Sequence, residues 1–196
     1  VAARRVNQFK QQVLEVIGNS VADPQPVFDK ILDSCQHLFA SGQLGIFLAE
    51  DDGMVHLAAW QGSALDSVRR SLPRPVEDTI TARAMRAKRS IYIADAAARA
   101  DRPLAITQTV EQVGNFSAVF APMLWQDRGV GAVCVMRFPP GPFTEKETAL
   151  LETFADQAVI AIENVRLFNE TKEALERQTA ISEILRVISS SPGDAR

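Results

Sequence analysis

The sequence predicts an α+β domain: an antiparallel sheet covered by helices, with a long helix leaving at its C-terminal end. Three observations lead there. Two apolar stretches fold back around turn residues, at Asp51-Asp52-Gly53 and Asp127-Arg128-Gly129. Helically spaced stretches stand before, between and after these hairpins. From residue 144 to 188 the chain meets no Pro or Gly and repeats apolar residues at spacings of three and four. Hairpins build antiparallel sheets, and helices outside them cover the apolar faces.

Taken in order, residues 2–20 carry a helical stripe of Val6, Phe9, Val13 and Val16, widened by Leu14 and Ile17. A second helix is expected after Pro26 to about Phe39, with Val27, Phe28, Ile31, Leu32, Cys35, Leu38 and Phe39 on its broad apolar face and Ser41-Gly42 as its stop. Residues 43–50 and 54–60 read as paired strands, because Gly53 accepts the backbone geometry of a tight turn. Residues 65–70 suggest a short helix, Pro73 and Pro75 interrupt the chain, and residues 77–87 read as helical. Residues 90–93 form a short strand. Residues 95–112 are Ala-rich and irregular, broken by Asp101-Arg102-Pro103. Residues 116–125 and 130–137 form the second hairpin, stopped by Pro139-Pro140-Gly141-Pro142.

The closing helix begins with Thr144 and Glu147, the spacing of a capping box. Leu151, Phe154, Ala158, Ala161, Val165, Phe168 and Leu175 then mark one stripe, the pattern of a helix–helix seam. The stripe slips by one residue to Ala174, Gln178, Ile181, Leu185 and Ile188. Such a helix would run roughly 65 Å, past the edge of a small domain. Leu, Val, Ile, Ser and Asp of residues 14–23 recur at the same mutual spacing in residues 185–194, as if the exit helix became the entry helix of another copy.

The 196 residues fit one domain with extensions, and a chain beginning at Val1 reads as part of a longer protein. A net charge of −3 argues against non-specific nucleic-acid binding. No apolar run is long enough to span a bilayer, and two distant cysteines, Cys35 and Cys134, fit a reducing, cytoplasmic setting. Residues 69–102 hold nine Lys/Arg against four Asp/Glu, so Arg83, Arg86 and Arg89 either attract an anion or form an ordinary solvated face.

The run from Pro142-Phe143-Thr144-Glu145-Lys146-Glu147 through Leu150-Leu151-Glu152-Thr153-Phe154-Ala155-Asp156-Gln157-Ala158 to Asn164-Val165-Arg166-Leu167-Phe168 resembles the C-terminal helix of GAF domains in bacterial sensor proteins. Ser90-Ile91-Tyr92-Ile93-Ala94-Asp95 and the hairpin of residues 116–137 stand where that family has corresponding elements. The resemblance covers residues 24–168 and implies a central antiparallel sheet of about six strands with helices on both faces. It also implies a parallel homodimer through the terminal helices and a small-molecule site under residues 75–112. It divides the chain into an entry helix (1–23), a sensory domain (24–168) and an exit helix leading to a following domain (169–196). Residues 169–194 resemble linkers between tandem GAF domains of sensor histidine kinases.

No catalytic constellation stands out. His37 and His56 lack a partnered nucleophile, and Cys35 and His37 do not share a helix face, so neither catalysis nor a metal site is expected. Pocket candidates are Phe47, Trp60, Asp95, Phe116, Ala118 and Phe120, an apolar set with one polar group. The competing reading makes these aromatics plain sheet core, because strand parity alone does not say which face each meets. Seam candidates are Val6, Phe9, Val13, Val16, Phe154, Ala158, Ala161, Val165, Phe168, Leu175, Ile181, Leu185 and Ile188. Among specialised relatives, cyclic-nucleotide binders would need a Lys beside Asn115-Phe116, and bilin binders a Cys within residues 61–116. Sulfoxide-reducing relatives would need three clustered cysteines. All are missing, as is a Gly-rich nucleotide loop. The ligand is therefore unknown, and the expected role is a non-enzymatic sensory module feeding an output domain such as a histidine kinase. A ligand-free dimerisation spacer is the alternative, and a small reductase of the sulfoxide-reducing type, dependent on Cys134, is a third reading that the missing cysteines weigh against.

Overall fold

The computed structural model describes residues 23–39, 43–98, 100 and 102–190, with side chains described up to residue 182. The entry stripe of Val6, Phe9, Val13 and Val16 lies outside the described residues, as do the side chains of Leu185 and Ile188. The elements are α1 (Gln25–Phe39), β1 (Gln43–Ala49), β2 (Met54–Gln61), α2 (Leu65–Arg70) and β3 (Arg74–Pro75). A 3-10 turn at Val76–Asp78 follows, then α3 (Ile80–Ala87), β4 (Ile91–Ile93), α4 (Leu104–Val113), β5 (Ser117–Trp125), β6 (Arg128–Arg137) and α5 (Glu145–Ser190).

Six strands form one sheet in the order β3-β2-β1-β6-β5-β4, antiparallel at every pairing. The two expected hairpins are its halves, and β1 beside β6 joins them. Helices cover both faces, as expected. On one face α1 and α5 pack on Leu44, Ile46, Val119, Ala121, Met123, Val133 and Val135. On the other, Phe47, Ala118, Phe120, Ala132, Cys134 and Met136 meet Val68 of α2, Ile80 and Ala84 of α3 and Ile106 of α4. Side chains alternate across a pleated sheet, so neighbouring residues of one strand serve the two cores.

Four local expectations change. The second turn is Gln126-Asp127, with both φ values positive (47° and 67°), and Trp125 pairs with Arg128. Asp tolerates this left-handed geometry, so the turn needs no glycine. Gly129 lies inside β6, where a Cβ would stand 2.5 Å from the Cβ of Met85. α3 begins at Ile80 because the Thr79 hydroxyl accepts the Ala82 N–H at 3.1 Å and caps it there. β3, the two residues Arg74-Pro75 after Pro73, forms at the sheet edge, where a missing N–H costs least. Residues 104–113 are helical: Ile106 and Thr109 turn inward from a helix whose weak spacing the Ala-rich approach obscures.

The capping box of α5 forms as read. Glu147 Oε2 accepts the Thr144 N–H at 2.8 Å, and the Glu147 N–H reaches Thr144 Oγ1 at 3.2 Å. Arg137, at the end of β6, pairs with Glu147 at 2.5 Å and lies 4.1 Å over the Phe143 ring. Burial of Glu147 opposes ionisation, but hydrogen bonds from Thr144 and Arg137, and the Arg137 charge, outweigh it and lower its pKa. A lowered carboxyl contributes stability above its unfolded pKa and loses it as pH falls through the folded value. Glu147→Gln should therefore cost about 1 kcal/mol at neutral pH, with the deficit vanishing in acid below the folded pKa. Urea melts of both proteins at neutral and acid pH measure this.

Candidate functional site

A cavity of about 60 Å³ lies between the sheet and its roof of α2, α3 and α4. Phe47, Phe116, Phe120 and Met136 form its floor and walls, Val68, Ile80 and Ile106 its ceiling, and Ser71, Thr79, Thr81 and Thr109 add hydroxyls. Phe47 stacks on Phe120 at 6.2 Å between ring centroids and meets Trp60 edge-on at 6.4 Å. Trp60 and Leu72 line both this cavity and an open surface groove of about 530 Å³ bounded by Gln25, Asp29, His56 and Arg69. These two side chains thus stand between the cavity and the groove. Trp60 is held there by its Nε1–H, which donates to the Gly62 carbonyl at 3.2 Å.

Of the six sequence-predicted pocket residues, Phe47, Trp60, Phe116 and Phe120 line the cavity. Ala118 is fully buried in the same core but lies outside the lining. Asp95 is a correction: it is exposed and works as a loop clamp. Its Oδ1 accepts the Ala98 N–H and the Asn115 Nδ2–H, at 2.9 and 2.8 Å. These bonds, the Ala98 one foremost, hold its pKa below the usual carboxylate value. Asn115 Oδ1 in turn accepts the Ala97 and Phe116 N–H groups, tying both ends of the roof segment together.

A polar cluster joining α2, β3 and α4 escaped sequence reasoning. Arg74 is only 8% exposed. Its Nε–H donates to the Ser71 carbonyl at 3.0 Å and its Nη2 to Gln108 Oε1 at 2.5 Å. Ser67 and Arg70 of α2 both donate to Gln112 Oε1 of α4. The two glutamines therefore fasten the roof helix α4 to the α2–β3 corner. An arginine between two prolines was the one available signal. Arg86 pairs with Glu77 at 2.5 Å, while Arg89 is exposed.

The expected helix seam divides. Phe154, Ala158 and Ala161 are buried against the domain's own sheet, which corrects their assignment to a partner helix: the sheet already occupies that face. Val165 is half-buried. Phe168, Leu175 and Ile181 are 39%, 62% and 58% exposed on the part of α5 beyond the sheet. Where α5 departs, Arg166 binds Glu163 and Glu170 at 2.7 and 2.6 Å.

Cys35 lies in the helix-side core and Cys134 in the roof-side core, so the sheet separates them. Burial pushes both thiols far above their ordinary pKa. Neither should react with a maleimide in the folded protein, and both should react in denaturant, as a mass spectrum of the labelled chain will report. His56 meets Asp52 at 2.8 Å and Glu50 at 3.8 Å on the exposed β1–β2 hairpin. These three groups offer ligand atoms within 4.8 Å of one another, and Asp52 also accepts the Met54 N–H. His37 is exposed on α1 and bonds the Asp33 carbonyl oxygen.

A family model described as GAF domain matches residues 21–163. The chain belongs to the GAF domain family. Its fold recurs in solved structures of low sequence identity. One is the GAF domain of a Coxiella burnetii phosphoenolpyruvate-protein phosphotransferase, 17% identical, with a TM-score of 0.68, covering 87% of this chain and 99% of that one. Another is a domain of a putative two-component sensor histidine kinase from Sinorhizobium meliloti, 18% identical, with a TM-score of 0.61 and 75% and 95% coverage. A third is the free methionine-R-sulfoxide reductase of Neisseria meningitidis, 16% identical, with a TM-score of 0.64 and 80% and 87% coverage. No curated protein matches the chain. GAF domains are generally sensory or regulatory, and among the described residues no helix is long and apolar enough to cross a membrane.

Proposed function

We propose that this GAF domain is the sensory and dimerisation module of a multidomain bacterial signalling protein, acting in the cytoplasm and feeding an output domain such as a histidine kinase. A small molecule under the roof biases the sheet between two arrangements, and α5 carries the bias outward. The observation that carries this reading is the shared sheet: Phe120 lines the cavity while Val119 and Ala121, its neighbours on β5, pack in the core with α5. The part of α5 beyond residue 165 runs about 37 Å and exposes Phe168, Leu175 and Ile181, a surface suited to a second copy. Residues 24–168 form the sensory unit in this scheme, residues 1–23 an entry helix and residues 169–196 the exit.

The coupling between the two sites is bounded by the ligand's differential affinity for the two arrangements. A native mass spectrum of the gently purified chain reports oligomer and retained small molecule together. Disulfide cross-linking through cysteines introduced at Ala174 and Leu175 then reads the register. A retained molecule whose removal changes the cross-linking pattern supports sensing. A bare dimer with an unvarying pattern supports the second reading, a dimerisation spacer. That reading draws on the cavity size, about 60 Å³ against the roughly 300–1,000 Å³ usual for ligand pockets.

A further inference from the structure

Among the described residues, the lining of the cavity under the roof contains no charged side chain. The buried cation of this region, Arg74, is not part of that lining. An ionic ligand there would lose its water and meet no opposite charge. Apart from Trp60, whose N–H is taken by the Gly62 carbonyl, the polar side chains of the lining are four hydroxyls. Three of them donate to backbone carbonyls: Ser71 to Val68 at 2.7 Å, Thr79 to Val76 at 2.7 Å and Thr109 to Ala105 at 2.8 Å. These three retain lone pairs but no free donor.

Thr81 differs. It is 2% exposed, and its hydroxyl has no hydrogen-bond partner among the described residues. The side-chain atoms there that are both unpartnered and fully sealed belong to Gln61 and Gln157. The Thr81 hydroxyl is therefore not sealed, and the space that Thr81 borders is the cavity. It offers a donor and an acceptor together. A polar group left unpaired in an apolar interior is costly, and a ligand that pairs with it removes that cost.

The hydroxyl inventory selects the ligand's polar group. A ketone only accepts, so it could use the Thr81 proton and nothing else in the lining. An alcohol both accepts and donates, so it matches Thr81 and the remaining lone pairs alike. A volume of about 60 Å³ admits roughly two to four non-hydrogen atoms, since liquid water takes about 30 Å³ per molecule. We propose that the cavity binds a short uncharged aliphatic alcohol, with Thr81 bonded to its hydroxyl and Phe47, Ile106 and Phe120 around its carbon atoms. This rests on the sensory reading above and names its ligand class.

The test uses the full chain with its four methionine methyl groups labelled with carbon-13, because Met136 lines the cavity and reports on it by NMR. Titrations compare four molecules of similar size: propan-2-ol, acetone, acetate and isopropylammonium. Propan-2-ol should shift the Met136 signal saturably. Acetone should bind about fivefold more weakly, the scale of one neutral hydrogen bond, and the two ions at least about tenfold more weakly. Thr81→Val should weaken propan-2-ol about fivefold, whereas Thr81→Ser, which keeps the hydroxyl, should bind it nearly as the parent does. Thr81→Val should also unfold at a midpoint no lower than the parent's, because its hydroxyl has no protein partner to lose. Any of four results overturns the inference: no saturable response to propan-2-ol, an ion bound as tightly, undiminished binding in Thr81→Val, or a clear fall in that variant's midpoint. A charged molecule retained in the native mass spectrum, with a helix register that responds to its removal, overturns this ligand class and upholds sensing. Saturable, Thr81-dependent binding of propan-2-ol with an unvarying register upholds the ligand class and counts against sensing.

Discussion

Phe154→Ala should lower the stability of the domain by about 3–5 kcal/mol, the cost of emptying a large aromatic site that cannot collapse around the gap. Phe154 is fully buried on α5, in the same core as Phe28 and Ile31 of α1 and Val133 and Val135 of β6. Domains of this size have roughly 5–15 kcal/mol in total, so this one side chain carries a large share. The effect should be local in character as well as large. Helix α5 continues past the sheet with mostly exposed residues, so its attachment depends on the first four or five turns, where Leu151, Phe154, Ala155, Ala158 and Val159 are inside. Urea denaturation followed by circular dichroism measures the loss of stability. Hydrogen exchange of residues 148–162 shows whether α5 detaches before the sheet opens. Leu175→Ala, on the exposed stretch, should leave the unfolding midpoint of the isolated domain nearly unchanged at protein concentrations too low for association, since it removes no buried contact.

The contrast between Phe154 and Leu175 shows where sequence reasoning succeeded and where it stopped. Both lie on one apolar stripe with uninterrupted spacing, and spacing alone assigns them one partner. The spacing correctly predicts the helix and its capped start at Thr144 and Glu147. It cannot say that one half of the stripe meets a sheet and the other half does not, because a sheet and a second helix ask the same thing of a helix face. The hairpins were legible for the opposite reason: Gly53, with φ of 76°, has little choice of location. The roof was harder. Helix α4 places only Ile106 and Thr109 deep inside, too few to set a period, and its neighbours are alanines that suit any element. Phe47, Trp60, Phe116 and Phe120 could be picked out by their apolar, aromatic character, but only the fold shows that they share a face of the sheet. Arg74 could not, since its burial depends on residues 34 positions away in α4. Beyond the flanking prolines, local sequence gives no sign of that contact.

The same two-faced sheet makes the candidate site and the exit helix mechanically dependent in the proposed scheme. β6 alternates Ala132, Cys134 and Met136 toward the roof with Val133 and Val135 toward α1 and α5. Its inward residues on both sides are close-packed, so a strand displaced by a ligand under the roof moves groups that touch the exit helix. Small displacements matter because packed interiors resist continuous deformation. The sheet also has little room to absorb strain within itself, and one backbone position on β6 makes that measurable.

Gly131→Ala should cost about 3 kcal/mol or more, rivalling the aromatic deletion although it adds a single methyl group. Gly131 lies where β6 pairs with Leu48 of β1 on one side and Met123 of β5 on the other. A Cβ there would stand 2.1 Å from the Phe47 carbonyl oxygen and 2.5 Å from the Met123 methyl. The methionine can swing away; the carbonyl belongs to a central strand and can retreat only by loosening the β1–β6 ladder. Phe47 also lines the cavity, so the shift should reach the roof and widen or distort the site. Two control substitutions separate this clash from generic glycine effects. Gly141→Ala meets only the Arg137 Cδ, at 3.8 Å, and should be nearly neutral. Gly53→Ala meets nothing within 4 Å but holds a positive φ, and should cost about 1 kcal/mol through backbone strain alone. Denaturation midpoints that rank Gly131 far above Gly53, with Gly141 last, support the close approach of β1 and β6. A neutral Gly131→Ala would mean that the central ladder yields easily, and a sheet that yields easily would not carry a displacement from the cavity to α5.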